Sequence, residues 1–160
     1  MAELENFDLA HISAVEILTP TFDESLRFFN EMLAMREVER IGNSAYLRCW
    51  DEYETYSIKL TASETNGVGR TMLRATSPEA LERRVAAIEA TGLGKGWRDP
   101  EVGIGTYYEF EDPDGHEFGI YYDTTLYVAG EEDRPALKNQ ASRFPGRGVN
   151  ARRLDHINYL

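Results

Sequence analysis

Tyr107-Tyr-Glu-Phe-Glu-Asp-Pro-Asp-Gly-His-Glu-Phe-Gly-Ile-Tyr-Tyr122 reads as two short strands joined by a tight turn at Asp112-Pro-Asp-Gly115. Pro113 suits the second position of such a turn, where a preset φ helps, and Gly115 suits its exit. Phe118, Ile120 and Tyr122 alternate after the turn, as a half-buried strand requires. Working outward from this hairpin, Ser77-Pro78 is a helix cap followed by a first-turn proline. Leu81, Val85 and Ile88 then mark one helix face, and Gly92 ends it. Thr71–Thr76 is a strand before that helix, and a short strand falls near Lys95–Arg98. The pattern thus reads strand, helix, three strands.

The first half repeats that order. Phe7–Ile17 is a strand with Leu9, His11, Ser13 and Val15 on one face. Asp23 reads as a helix cap, and Leu26, Phe29 and Leu33 follow at helical spacing up to about Met35. Arg36–Ile41, Ser44–Trp50 and Tyr56–Thr61 are strands, the first two joined by a Gly42-Asn43 turn. The two helices lie about 55 residues apart, a repeat of organisation rather than of sequence. Each helix has one apolar face to bury on one sheet, so the class is α+β, built from two βαβββ modules, at about 7–62 and 70–123, forming one domain.

Composition narrows the function. The chain has 160 residues, enough for one good core, and no apolar run long enough to span a bilayer. The acidic start Met1-Ala-Glu-Leu-Glu5 is unlike a signal peptide, so cytoplasm is the expected location. The net charge of −11 is uneven: residues 1–130 carry −13 and residues 131–160 carry +2. Such a body repels nucleic acid, whose binding rests on basic phosphate contacts, and no membrane partner is expected either. The basic end segment is read as lying on the acidic body, on a partner, or simply in solvent. The single cysteine, Cys49, excludes an internal disulfide and reads as a small core residue.

Residues 124–152 read as a linker, with a weak signal for a short helix over Pro135–Ser142. Arg153-Leu-Asp-His-Ile-Asn-Tyr-Leu160 resembles the opening of another strand and echoes Leu9-Ala-His-Ile-Ser-Ala14. Two readings stand: a terminal edge strand, or the first strand of a further, missing module.

The order of elements, with Asp112-Pro-Asp-Gly-His116 before the last strand, resembles the vicinal oxygen chelate superfamily over residues 7–123. The superfamily includes glyoxalase I, bleomycin-resistance proteins and type I extradiol dioxygenases. The closer resemblance is to the amino-terminal domain of a catechol 2,3- or homoprotocatechuate 2,3-dioxygenase. It rests on the strand Phe118-Gly-Ile-Tyr-Tyr-Asp123, the long linker from Thr124-Thr125, and Arg153-Leu-Asp-His-Ile-Asn158.

The resemblance implies Fe(II) or Mn(II) in the full-length protein, held by two histidines and a carboxylate, with open positions for the diol and dioxygen. It implies that His156 is the first of those ligands, that the others belong to a missing C-terminal catalytic domain, and that this chain alone is inactive and holds no metal. A small aromatic diol is the implied substrate of the full-length protein.

Metal ligands in a one-domain relative fall on the first, fifth and eighth strands. Here those positions are His11, Arg70 or Thr71, and Gly119, with Glu117 a shifted alternative. The set is poor: a glycine offers no donor, and His11 reads as a hydrogen-bonded structural residue. His116 reads as a hairpin side chain bonded to Asp112 or Asp114. An unpaired strand from Arg153 would seek a partner, so a homo-oligomer is expected. The competing reading is a metal-free small-molecule-binding protein of the bleomycin-resistance type. A third is glyoxalase- or epimerase-like chemistry, against which Gly119 weighs.

Overall fold

The structure is a computed structural model and describes residues 7–158. Eight strands form one sheet in the order β2-β3-β4-β1-β5-β8-β7-β6. The first module contributes β1 (Leu9–Thr19), α1 (Phe22–Arg27) with a π-helical turn at Phe28–Met32, β2 (Arg36–Ile41), β3 (Ser44–Arg48) and β4 (Ile58–Ala62). The second contributes β5 (Gly67–Ala75), α2 (Pro78–Thr91), β6 (Gly94–Arg98), β7 (Tyr107–Glu111) and β8 (Glu117–Tyr121). Each module is a βαβββ unit of the glyoxalase and extradiol-dioxygenase type. The two join through their first strands, β1 antiparallel to β5. Within each, the first strand pairs in parallel with the last.

Strand alternation sorts the core into two faces. Val15, Leu47 and Leu60 turn toward α1 and its π-helical turn, meeting Phe22, Leu26 and Phe29. Leu73, Tyr108 and Ile120 turn toward α2, meeting Val85, Leu81 and Ile88. Their immediate neighbours Ala14, Tyr46, Met72, Tyr107 and Tyr121 face the other way and pack together with Tyr56 and Ile104. The helices therefore cover one side of the sheet, and a tyrosine-rich cluster fills the other.

Local chemistry explains most boundaries. Ser77 Oγ accepts the Ala80 amide, Pro78 opens α2, and Gly92 closes it at φ 76°. Two sequence expectations need correction. Asp23 lies inside the first turn of α1; the cap position is Thr21, whose side chain makes no capping bond. The helical segment also ends at Met32 rather than near Met35, and Ala34 takes a left-handed φ of 58° to redirect the chain into β2. The shared face proposed for Leu9 through Val15 fails too. Register shifts in β1, including one between Ile12 and Ala14, put His11 and Ser13 on the opposite side from Val15.

Residues 124–158 run across the first module. Among them only Glu131–Asp133 is helical, as a single 3₁₀ turn, so the helix suggested over Pro135–Ser142 is not formed. No strand forms over 153–158 either; Tyr159 and Leu160 lie outside the described residues. Instead the segment is stitched down by backbone bonds from Val149 to Met32 O, from Ala151 to Leu33 O and from Asp51 to Arg152 O. Ala151, Leu154 and Ile157 pack on the α1 side of the core. Of the three fates read for the basic segment, this is contact with the body.

Candidate functional site

Ligands drawn from the first, fifth and eighth strands would meet on the tyrosine-rich face, and the middle of that face is packed solid. Gly119 pairs with Met72 on β5, and Met72 with Ala14 on β1. A Cβ on Gly119 would lie 2.7 Å from the Met72 sulfur and 2.9 Å from the Tyr107 ring. The fifth-strand residue that actually faces Gly119 is thus Met72, not Arg70 or Thr71. Arg70 is committed elsewhere, with Tyr107 Oη at 2.7 Å, Glu109 at 2.6 Å and Glu101 at 3.1 Å. Glu117 lies beside Lys95 at 3.8 Å. It is four residues from Tyr121 along β8, about 13 Å at strand rise. His11 sits at the Tyr121 end, so Glu117 and His11 do not converge. These residues do not fit a two-histidine, one-carboxylate site.

What His11 does join is a polar cluster around Glu54. Its Nε2 lies 3.0 Å from Glu54 Oε1, and Arg74 donates to the same oxygen at 3.3 Å. The Tyr121 hydroxyl donates to Glu54 Oε2. Four segments meet here: β1, β5, β8 and the loop before β4, which Leu126 bridges at Glu54. Burial pushes the Glu54 carboxyl up, but the His11 and Tyr121 hydrogen bonds and the Arg74 charge outweigh it and hold it low. Burial and the adjacent carboxylate push Tyr121 up. A cavity of about 460 Å³ opens beside the cluster, lined by His11, Ser13, Glu54, Tyr56 and Arg74 and roofed by Arg153–Asp155. The two ends of the face thus differ: one is a salt-bridge lattice of Arg70, Glu101, Glu109 and Lys59, the other an open polar pocket.

Glu54, Arg74 and Tyr121 were not readable as a site, because Asp51–Glu54 looks like an ordinary polar loop. The usable signal was charge complementarity between that acidic loop and Arg152-Arg153. Asp51 is fully buried and its carboxylate accepts from Arg152 Nε at 2.8 Å, Arg153 Nη2 at 3.0 Å and the Ala141 amide at 3.0 Å. Glu52 accepts from the Cys49 amide at 2.6 Å, Ser57 Oγ at 2.7 Å and the Leu154 amide at 2.8 Å. Cys49 itself is buried, and burial pushes its thiol up to about 12, which suits a core residue and not a nucleophile.

Several of these carboxylates carry a pH consequence. Asp51, Glu54 and Glu109 are each raised by burial yet held net below ordinary carboxylates by their hydrogen-bond and arginine partners. A depressed folded-state pKa stabilises the fold above the unfolded value and loses that contribution as pH falls through the folded one. The melting temperature should therefore hold from pH 7 to about 5 and then fall toward about pH 2. Calorimetry across that range is the check; a melting temperature still unchanged at about pH 3 would contradict it.

The two histidines outside the cluster occupy different settings. His116 Nδ1 lies 2.8 Å from Asp112 Oδ2, and the Asp112 carboxylate also accepts the Asp114 and His116 amides. Asp112, Asp114 and His116 lie close enough to share an ion. Their mutual hydrogen bonds already account for the turn. His156 is exposed beside Asp155, with its Nδ1 2.9 Å from Asp155 Oδ2. The structure does not bring His11, His116 and His156 to a common centre.

No protein-family model matches the chain. Among curated proteins it is 43% identical over 154 residues to metapyrocatechase of Geobacillus stearothermophilus, covering 96% of this chain and 47% of that protein. It is 32% identical over 153 residues to a manganese-dependent 2,3-dihydroxybiphenyl 1,2-dioxygenase of Geobacillus genomosp. 3, covering 94% and 48%. Among solved structures, an extradiol ring-cleaving dioxygenase of B. fuscum matches at TM-score 0.69 and 22% identity, over 74% of this chain and 34% of that one. A homoprotocatechuate 2,3-dioxygenase variant of the same organism matches at 0.69 and 24%. The chain spans about half the length of the curated relatives it matches. By sequence and by fold, it is homologous to the extradiol ring-cleaving dioxygenases of the vicinal oxygen chelate superfamily.

Proposed function

We propose that this chain is the amino-terminal, non-catalytic part of an extradiol dioxygenase that opens catecholic rings with dioxygen. The observation that carries the reading is a match to a metapyrocatechase over 96% of this chain but 47% of the relative. The packed centre at Gly119, Met72 and Tyr107 supports the non-catalytic role, since it leaves neither donors nor room for a metal. On this reading residues 7–123 form a scaffold domain, residues 124–152 a linker, and Arg153 onward begins the catalytic domain. His156 is then the first metal ligand, and the remaining ligands come from outside this chain. An exposed, lightly tethered histidine is suited to that role, because its ring is free to turn toward an incoming site. The metal, Fe(II) or Mn(II), would bind the diol and dioxygen. This chain's own contribution is to fix the stem of the ligand strand by anchoring Arg152, Arg153 and Leu154 on Asp51 and Glu52.

The test compares this chain with a longer protein that contains it, both loaded anaerobically with Fe(II) or Mn(II). The longer protein is expected to cleave catechol and the 160-residue chain to show no turnover. In the longer protein, His156→Ala is expected to lose bound metal by elemental analysis. Normal turnover by the short chain would overturn the proposal, as would full metal occupancy in the His156 variant.

The same reading includes self-association. Val128, Val149 and Leu137 are exposed on the end segment, at 86%, 72% and 60%. They leave apolar surface for a second copy or for the catalytic domain to cover. Light scattering should show a mass above the monomer for the longer protein; a concentration-independent monomer would remove this element.

A further inference from the structure

A second cavity, of about 480 Å³, lies between the end of β3 and the segment that crosses it, far in sequence from the Glu54 pocket residues of β1 and β5. Its volume is in the range of small-molecule sites, about 300–1,000 Å³. Four guanidinium groups line it, those of Arg36, Arg48, Arg143 and Arg147, against the two carboxylates of Glu132 and Asp133. That local excess of positive charge sits in a chain whose net charge is −11.

Arg48 is the unusual member. It is 1% exposed and forms no ion-pair contact among the described residues, although the Glu52 carboxylate acts on it through space. Its guanidinium lies 3.5 Å over the Tyr127 ring, and its two Nη atoms donate to Glu52 O and, at 3.4 Å, to Ser142 Oγ. Its Nε–H is shielded from solvent and unpaired, and so is the indole Nε1–H of Trp50, two residues on. Both side chains line the cavity. Asp133 is already engaged by Arg36, and Arg147 donates to Asn30 O. Four arginines against two carboxylates leave the wall short of negative charge, which an anionic guest would supply. Two aromatic rings complete the wall: Trp50 and Phe144 meet edge to face at 5.5 Å.

We propose that this cavity binds a small carboxylate carrying an apolar or aromatic body, its carboxylate received by the arginines of the wall, Arg48, Arg143 and Arg147, and its body by Trp50 and Phe144. Burial pulls the Arg48 pKa down while Tyr127 and Glu52 pull it up; a bound carboxylate would add to the latter pair. The inference does not depend on the dioxygenase reading, since binding here needs neither metal nor turnover.

The experiment is a titration of the ¹⁵N-labelled chain with benzoate, inorganic phosphate and benzyl alcohol, followed through the two tryptophan indole N–H signals. Trp97→Phe assigns them, and Trp97, half exposed on β6, is the internal control. Benzoate is expected to move the Trp50 signal saturably with a dissociation constant of about 1 mM or tighter, and to leave Trp97 in place. Arg48→Met should weaken that binding about ten-fold or more. Should Arg48→Met fail to fold, Arg143→Gln, on the exposed rim, should weaken it about three-fold and flatten its salt dependence. No saturable shift with benzoate overturns the proposal. Equal binding of benzyl alcohol overturns the anionic class, and tighter binding of phosphate overturns the carboxylate. A longer protein whose own Asp or Glu side chain fills the site would likewise overturn it.

Discussion

Asp51→Ala is expected to release residues 141–158 from the first module while leaving the eight-stranded sheet folded. Asp51 is wholly buried and ties the end segment down at three points through its carboxylate. Its main chain adds two more ties, donating to Arg152 O and accepting from Arg153 Nε. Removing the carboxylate strands the Ala141 amide and loses two charge-assisted bonds. Because Arg152 and Arg153 are roughly half exposed, they recover much of their hydration, so the cost falls below that of a fully buried pair, at about 2–4 kcal/mol. For a domain of this size that is about 6–12 °C in melting temperature. Trypsin gives a local readout, since Arg143, Arg147, Arg152 and Arg153 all lie in the released stretch. Faster cleavage there, with unchanged protection of β1–β8, is the expected pattern. Asp51→Asn keeps an acceptor for Ala141 and should fall between. If Asp51→Ala melts and digests like the parent, docking rests instead on Leu154, Ile157 and the Glu52 bonds. On the proposed reading, in which His156 is a metal ligand of a longer protein, the same substitution there should lower metal occupancy.

Gly119→Glu, which restores a carboxylate at the eighth-strand position, is expected to damage the fold and to create no metal site. The new side chain would have to displace the Met72 sulfur and press on the Tyr107 ring, which is held by bonds to Arg70 and Glu101. It would also bury a charge among Ala14, Tyr46 and Tyr121. Overpacking and an unpaired buried carboxylate together cost about 3–5 kcal/mol. Urea unfolding is the measurement. Gly119→Ala separates the steric part, at about 1–2 kcal/mol, because the methionine end can yield while the tyrosine ring cannot. Combined with Met72→Ala it should cost less than the two changes added, since the shortened side chain leaves room for the new methyl. A Gly119→Glu protein with parental stability that bound Fe(II) would show the centre of the face to be adaptable, and would weaken the scaffold reading.

The order of elements was legible because its signals are local. Ser77-Pro78, Gly92, Gly42-Asn43 and Asp112–Gly115 each act within a few residues of themselves, and the paired β-α-β-β-β pattern followed from them. His156 was singled out by resemblance and stands on proposal alone. Spacing along the chain does not reveal a β-bulge or a π-helical turn: the first separates Val15 from the face of His11, and the second closes the helical segment at Met32.

By itself the chain determined its two modules, its strand and helix periods, and the lack of a side-chain donor at Gly119. Only the folded structure decided that Met72 stands opposite Gly119, that Glu54 gathers His11, Arg74 and Tyr121, and that Asp51 holds Arg152 and Arg153 a hundred residues away. The difference is physical. Periodicity and turn chemistry are properties of neighbouring residues, whereas a buried carboxylate finds its partners through strand register, which is set by the whole sheet at once.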